Sequence, residues 1–275
     1  MAGFNLETSN GLIRGKMEVV AGSKYCVVLA CGHNGFYHFA FFPTIQEGLA
    51  KRGISSVTFN YSHCGITDDG DFFNDLDAYQ KNCRRLEVED VLALLDFLKT
   101  NSALTDQHLC LLGHSMGGFS VGFAASRFKA NSNEKLLLGF LCPLKTLDIR
   151  TPEVMAEWKK NGVYYRLNTR TNQELPQGEE FLAETLQSGD QWNLEKAIRE
   201  YPDPVFVAHA VDDESVPFEH GRSIFSWLYK NNLQNAFLPI PGANHTLNTA
   251  HPMKRDSEEL QFFIENFSNW LLQLK

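Results

Sequence analysis

The stretch HLCLLGHSMGG, residues 108–118, decides how the rest of the chain is interpreted. Its apolar run Leu109–Leu112 is typical of a buried strand, and the segment Phe119–Phe128 that follows has a helical composition. Between them, Gly113–Gly117 has the pattern G-x-S-x-G with Ser115 at its centre. A chain of this length would contain such a string by chance roughly one time in ten, so its strand-to-helix setting gives it weight.

A serine at a sharp turn between a strand and a helix has the geometry that nucleophilic catalysis needs. The turn holds the serine in a strained backbone conformation with its hydroxyl exposed, and flanking glycines let the strand and helix approach closely. The start of the helix also brings backbone N–H groups to the place where an oxyanion would form. Ser115 is therefore the predicted nucleophile, and a structural glycine turn with an idle serine is the alternative.

A serine hydroxyl needs a base, and the base needs an acid to orient it, so both are expected elsewhere in the chain. The apolar run Val205–Ala210 leads into Asp212 and Asp213, at the carboxyl end of a predicted strand, where functional groups of open α/β sheets gather. After the next run, Ala236–Ile240, a turn-rich loop carries His245. The order serine, acid, histidine is the one expected for this architecture.

Alternatives remain for the base and for the acid. His251 is the rival base, but it precedes Pro252 near the start of the last predicted helix. Either Asp212 or Asp213 could instead be a solvated loop carboxylate or a cap for the following helix.

The rest of the chain alternates short apolar runs with longer helical patterns, which predicts a mostly parallel sheet flanked by helices. In Arg85–Lys99, the clearest helix, apolar residues recur at three- and four-residue steps. A last helix is predicted over about Ser257–Leu274. The predicted strands are Leu12–Val20, Tyr25–Ala30, Ser55–Asn60, His108–Leu112, Lys135–Leu141, Val205–Ala210 and Ala236–Ile240.

A single domain over residues 1–275 is expected, with one interruption at about 144–201. There the β/α rhythm gives way to the polar, turn-rich stretch Asn168–Gly178, followed by helical pieces around Phe181–Leu186 and Leu194–Tyr201. We expect a small cap insertion with a hairpin and short helices. A long surface excursion is the alternative.

Composition excludes several classes of protein. The net charge is -8 and no stretch forms a basic stripe, so no nucleic-acid partner is expected. No apolar stretch approaches membrane-spanning length, and residues 1–10 lack a secretory signal, which predicts a cytoplasmic protein with no membrane span. The six cysteines lack CxxC pairs, so we expect reduced thiols and no metal site. The oligomeric state stays open, a homodimer included.

Several motifs resemble those of the α/β-hydrolase superfamily, especially its small serine esterases of the cinnamoyl-esterase-like and serine-aminopeptidase-like groups. The resemblance covers nearly the whole chain. Cys31 stands where the family usually has histidine. The similar segments are Val27–Phe36, Phe59–Gly65 (FNYSHCG, against F-D-Y-R-G-H-G), Gly113–Gly118, Asp213–Pro217 (D-x-x-V-P) and Gly242–His245.

The resemblance implies an α/β-hydrolase fold and favours Asp213 over its neighbour as the acid. It also implies an oxyanion hole made by the backbone N–H groups of Met116 and His33, although Asn34 or Gly35 could take the second place. No metal or organic cofactor is needed for this chemistry.

The expected function is hydrolysis of small to medium esters with apolar or aromatic acyl groups, through a Ser-His-Asp triad and an acyl-enzyme intermediate. A peptidase, amidase or thioesterase would use the same residues, and a non-catalytic binding protein with this fold is a further alternative. Aromatic residues either line an acyl pocket or simply pack. They are Phe36, Tyr37, Phe39, Phe41, Phe42, Trp158, Tyr164, Tyr165, Phe181 and Trp192.

Overall fold

The computed structural model describes residues 1–147 and 149–275. Its strands are β1 (Ala2–Thr8), β2 (Gly11–Glu18), β3 (Tyr25–Ala30), β4 (Ser55–Asn60), β5 (His108–His114), β6 (Leu136–Leu141), β7 (Tyr164–Asn168), β8 (Gln173–Gln177), β9 (Val205–Ala210) and β10 (Ala236–Ile240). Its helices are α1 (Phe42–Ala50), α2 (Leu76–Lys81), α3 (Arg84–Thr100), α4 (Met116–Asn131), α5 (Pro152–Asn161), α6 (Glu179–Leu186), α7 (Leu194–Ile198), α8 (Glu219–Leu228) and α9 (Glu258–Gln273).

The central sheet has eight strands in the order β1-β2-β4-β3-β5-β6-β9-β10. β2 pairs antiparallel with both β1 and β4, and every other neighbouring pair is parallel. Strands β3, β4, β6 and β9 are buried at every position because helices cover both faces of the sheet. The expected mostly parallel sheet flanked by helices is therefore confirmed.

The helices form two layers. α1 and α9 pack against each other on one face of the sheet, while α3, α4, α7 and α8 form a continuous row on the other. In α3 the residues Val88, Val91 and Leu95 are fully buried, as the apolar periodicity predicts. In the part of the chain that the structure describes, no helix has both the length and the apolar character needed to cross a membrane.

Between β6 and β9 the chain forms α5, the antiparallel β7–β8 hairpin and α6, which together we call the cap segment, and then α7. The register pairs Tyr164 with Gln177 and Arg166 with Leu175, and residues opposite each other share a face of the hairpin. Leu175, Pro176 and Gln177 are buried, so β8 is the inner strand of the hairpin, whereas Tyr165 and Arg166 of β7 are exposed.

Candidate active site

Ser115 occupies the turn between β5 and α4 with φ 55° and ψ −124°. A positive φ is unfavourable for a residue with a Cβ and is typical of strained functional turns. The flanking glycines allow the chain to pack tightly around this turn because they have no Cβ atom. A Cβ on Gly117 would overlap the carbonyl oxygen of Cys31. A Cβ on Gly113 would lie 2.5 Å from the Gly117 oxygen. The predicted strand-to-helix turn around Ser115, which we call the elbow, therefore depends on close contact between the strand and helix backbones.

His245 and Asp213 lie beside this serine, and the three side chains are linked by hydrogen bonds. The Ser115 Oγ is 3.0 Å from His245 Nε2, and His245 Nδ1 is 2.7 Å from Asp213 Oδ2. Asp213 follows β9 and His245 follows β10, so parallel neighbouring strands deliver both groups to the same edge of the sheet. The Asp213 side chain is 0% exposed and that of His245 18% exposed.

Asp213 is held as a carboxylate by its surroundings. Its Oδ1 accepts the backbone N–H groups of Ser215 and Val216, and His209 Nε2 lies 3.4 Å from Oδ2. Burial alone would raise the pKa of Asp213, but hydrogen bonds from His209, His245 and Val216 lower that pKa far below its ordinary value. The ionised acid can therefore orient His245 and stabilise its protonated form.

The two alternative residues are placed differently. Asp212 is exposed and accepts the backbone N–H of Gly242 at 3.0 Å, which ties two loops together. His251 uses both ring nitrogens elsewhere: Nε2 lies 2.7 Å from Asp71 Oδ2, and Nδ1 accepts the Ala40 N–H. Neither of these contacts involves Ser115.

The predicted oxyanion donors flank the serine. Met116 is the first residue of α4, directly after Ser115. The loop before His33 lies so close to Ser115 that a Cβ on Gly32 would be 3.4 Å from Ser115 Oγ. Within the described residues, neither the Met116 nor the His33 N–H donates a hydrogen bond to the protein. Gly35, by contrast, donates its N–H to the Gly32 carbonyl.

The loop of residues 31–35, which we call the oxyanion loop, carries His33. The imidazole of His33 belongs to a hydrogen-bond network that joins this loop to the cap segment. Its Nε2 is 2.7 Å from Gln177 Nε2, and Tyr79 donates its hydroxyl to the Asn34 side chain. Burial, together with nearby positive charge, lowers the pKa of His33 well below its ordinary value. The neutral ring accepts the Gln177 amide and thereby fixes the loop that presents the His33 N–H.

His114 is a site residue that sequence reasoning missed. It fills the variable position before the nucleophile, and its Nε2–H donates to the carbonyl oxygen of His245 at 3.0 Å. Burial and the neighbouring His245 lower the pKa of His114 to about 3, so the ring is neutral. Nothing in the G-x-S-x-G pattern distinguishes this position from any other residue type.

A buried apolar cluster lies where the core meets the cap segment. It joins Met116 of the elbow to Trp158 and Phe181 of the cap segment, whose rings are 5.6 Å apart. Its remaining members are Leu144, Leu182 and Val216, with Met155 and Tyr164 packed against it. Trp158, Tyr164 and Phe181 are therefore the predicted pocket aromatics that the structure brings to this cluster.

Other aromatic residues from the predicted pocket pack elsewhere or lie on the surface. Phe41 and Phe42 pack against His114, and Trp192 packs at a tilted angle against Phe123 of α4. Tyr165 is exposed on the outer face of the hairpin. These four residues are thus packing or surface residues.

Among the described residues, the group that could hold a metal ion is Cys142, Asp213 and His245, whose ligand atoms lie within 4.8 Å of one another. A metal would need Cys142 as a thiolate. Burial raises the pKa of that thiol far above its ordinary value. Asp213 and His245 are also hydrogen-bonded to each other, so the arrangement suits proton transfer better than metal binding.

Comparisons with known proteins agree with this architecture. A model of the alpha/beta hydrolase family matches residues 27–255. No curated protein matches this chain.

Solved structures share the fold across the whole chain at low sequence identity. Est1E from Butyrivibrio proteoclasticus with ferulic acid bound is 18% identical, with a TM-score of 0.73 and 98% of each chain covered. A putative hydrolase from Agrobacterium vitis S4 is 13% identical, with a TM-score of 0.74 and coverage of 98% of this chain and 97% of that one. Mouse alpha/beta hydrolase domain-containing protein 10 is 16% identical, with a TM-score of 0.71 and 100% of each chain covered.

Proposed function

Because the chain belongs to the alpha/beta hydrolase family, we propose that it is a serine hydrolase that cleaves carboxylic esters. Ser115 is the nucleophile, His245 the general base and Asp213 the acid that orients it. The observation that carries the proposal is the hydrogen-bonded sequence from Ser115 Oγ through both nitrogens of His245 to Asp213, at 3.0 and 2.7 Å.

The mechanism follows from this order of groups. His245 Nε2 takes the hydroxyl proton of Ser115 while Oγ attacks the ester carbonyl carbon. The N–H groups of Met116 and His33 donate to the oxyanion. Protonated His245 then gives its proton to the departing alcohol, which leaves an ester of Ser115 with the acyl group. Water, deprotonated by His245, attacks this acyl-enzyme and releases the acid.

An apolar or aromatic acyl group fits the environment of the serine. The buried cluster that joins Met116, the residue after Ser115, to Trp158 and Phe181 makes the surroundings of the serine apolar. Ferulic acid, an aromatic acid, is the molecule bound in the Est1E structure. The substrate class that we propose is therefore a small or medium ester whose acyl group is largely apolar.

Replacing the nucleophile tests the proposal. We expect Ser115→Ala to lower kcat for p-nitrophenyl butanoate by about a thousandfold or more, because the variant cannot form the acyl-enzyme. Ser226→Ala, at an exposed serine of α8, is the control and should keep full activity. A fluorophosphonate should label the wild type and the control but not Ser115→Ala.

Two outcomes would overturn this function. One is unchanged ester hydrolysis in folded Ser115→Ala, which would place the chemistry elsewhere. The other is a substrate panel in which matched anilides or thioesters are cleaved faster than the butanoate ester, which would assign the same residues to amide or thioester hydrolysis.

A further inference from the structure

Two arginines near the candidate site have no acidic partner among the residues that the structure describes. Arg150 precedes α5 and Arg166 lies on β7. Neither forms an ion pair with any residue that the structure describes. The arginines that do so are Arg84, Arg85, Arg199 and Arg222.

Arg150 is connected to the oxyanion loop. Its Nη2–H donates to Gln177 Oε1 at 3.1 Å, and the Gln177 amide donates in turn to His33 Nε2 at 2.7 Å. Its buried Nε–H has no acceptor among the described residues. A buried guanidinium donor without an acceptor is costly unless a ligand supplies one.

Arg166 lies on the same side of the hairpin as this network. Arg166 is opposite Leu175 in the hairpin, so it lies on the same face as Tyr164 and its partner Gln177. Arg166 itself remains exposed to solvent. Its guanidinium can therefore meet a solute that enters between the hairpin and the core.

The pKa shifts of His33 and Arg150 are consistent with positive charges lying close to the oxyanion loop and to each other. Burial, and then the positive charges of Arg84, Arg150 and Arg166, lower the pKa of His33. Burial and the charge of Arg166 lower the pKa of Arg150. Arg84 is compensated by Glu87 at 2.6 Å, whereas neither Arg150 nor Arg166 forms an ion pair with a described residue.

Resting on the proposed function, we propose that Arg150 and Arg166 bind a carboxylate at the far end of the acyl group, so that the substrates are monoesters of dicarboxylic acids. Guanidinium groups suit this role because they present paired donors that match the two carboxylate oxygens. The apolar cluster around Trp158 and Phe181 would hold the hydrocarbon part between the ester and the carboxylate.

The experiment compares monomethyl esters of linear dicarboxylic acids, from glutarate to sebacate, with their ω-carbamoyl analogues. The two series match in length and differ in charge. For at least one chain length we expect kcat/KM to be about tenfold or more higher for the carboxylate, since charge-assisted hydrogen bonds of this kind have that strength. Arg150→Gln and Arg166→Gln should each reduce this ratio by about tenfold, whereas Arg150→Lys should retain part of it.

Arg222→Gln, at an exposed arginine of α8, is the matched control and should leave the ratio unchanged. If Arg150 only positioned Gln177, Arg150→Gln would lower both series equally, and the proposal would fall. A wild-type ratio near one at every chain length, or a preference confined to acetate esters of ω-hydroxy acids, would also overturn it. The proposed function would survive each of these results as long as Ser115→Ala abolishes hydrolysis of the carbamoyl esters.

Discussion

His114 illustrates how a residue at a variable motif position contributes to a site. Its ring packs edge-on against Phe41 at 5.0 Å, which fixes its orientation in the core. From there it donates to the His245 carbonyl oxygen at 3.0 Å, while Asp213 holds the ring of His245 at Nδ1. The backbone and the side chain of His245 are thus positioned by two different residues.

We predict that His114→Phe lowers kcat by about tenfold with little change in KM. The substitution retains an aromatic ring but leaves the His245 carbonyl without its donor, a loss of about 1–3 kcal/mol. Steady-state kinetics on p-nitrophenyl butanoate measure the effect. His108→Phe, at the exposed start of the same strand, is the control, and an unchanged kcat in folded His114→Phe would contradict the prediction.

At this scale the sequence indicates the residues that carry local signals. Ser115 lies in a strand-to-helix motif, Asp213 begins D-x-x-V-P, and His245 follows a strand in a turn-rich loop. The structure brings these three side chains together. His114, and the network of Gln177 with Arg150, could not be predicted, because their contacts join residues distant in sequence and depend on side-chain packing.

Among the elements, the strands of the parallel part of the sheet are the best predicted. Tyr25–Ala30, Ser55–Asn60, Val205–Ala210 and Ala236–Ile240 have the same bounds in sequence and structure. β1 is absent from the predicted strands. It is a half-exposed edge strand with polar residues, in which apolar and polar residues alternate over only a short stretch. It is stabilised by antiparallel pairing with β2 and by tertiary packing, such as Phe4 against Phe97 of α3 at 5.5 Å.

Helix α3 contains a buried acid whose protonation should affect stability. Asp90 Oδ2 accepts the N–H and the hydroxyl of Ser62, which follows β4 by two residues, at 2.7 and 2.8 Å. Burial outweighs these hydrogen bonds and raises the pKa of Asp90 to about 6. The folded state therefore retains a proton that the unfolded state has lost.

We predict that Asp90→Asn changes the pH dependence of stability. Because the pKa of this carboxyl is higher in the folded state than in the unfolded state, the free energy of unfolding falls as pH rises from about 4 to about 6, here by about 3 kcal/mol. Above about pH 6 this group causes no further change with pH. Urea denaturation between these pH values should show that the wild type, relative to Asp90→Asn, loses this amount. Asp96→Asn, at an exposed acid of α3, is the control. A wild-type-to-variant difference that is constant with pH would refute the prediction.

At the scale of the whole molecule, Arg170 is one of the residues that bind the cap segment to the core. This arginine, in the turn between β7 and β8, lies 5.0 Å from the ring centres of Phe36 and Phe39 and donates to the Asn34 carbonyl at 3.3 Å. It therefore links the cap hairpin to the loop that presents the His33 N–H. Packing of this kind could not be predicted from sequence, because arginine in a polar turn indicates only a solvated loop.

We predict that Arg170→Ala loosens the hairpin without unfolding the core. Losing the cation–π contacts of Arg170 with Phe36, Phe39 and Phe73, together with a hydrogen bond, should speed amide hydrogen exchange in residues 164–177 by roughly tenfold, while exchange in β3 and β6 stays slow. Mass spectrometry of peptides from the two regions measures this. Lys159→Ala, at an exposed lysine of α5, serves as the control. Equal exchange in Arg170→Ala and the wild type would disprove the link.

The position of the cap segment also divides the candidate site along the chain. Ser115 and His33 precede it, whereas Asp213 and His245 follow it. In the mechanism that we propose, the growing polypeptide on the ribosome therefore carries Ser115 through the translation of the entire cap segment before the acid and the base that would activate it have been made. A nascent chain stalled or truncated ahead of β9 would hold an elbow with an ordinary alcohol, and reactivity toward esters would arise only after the last two strands had been made and had docked.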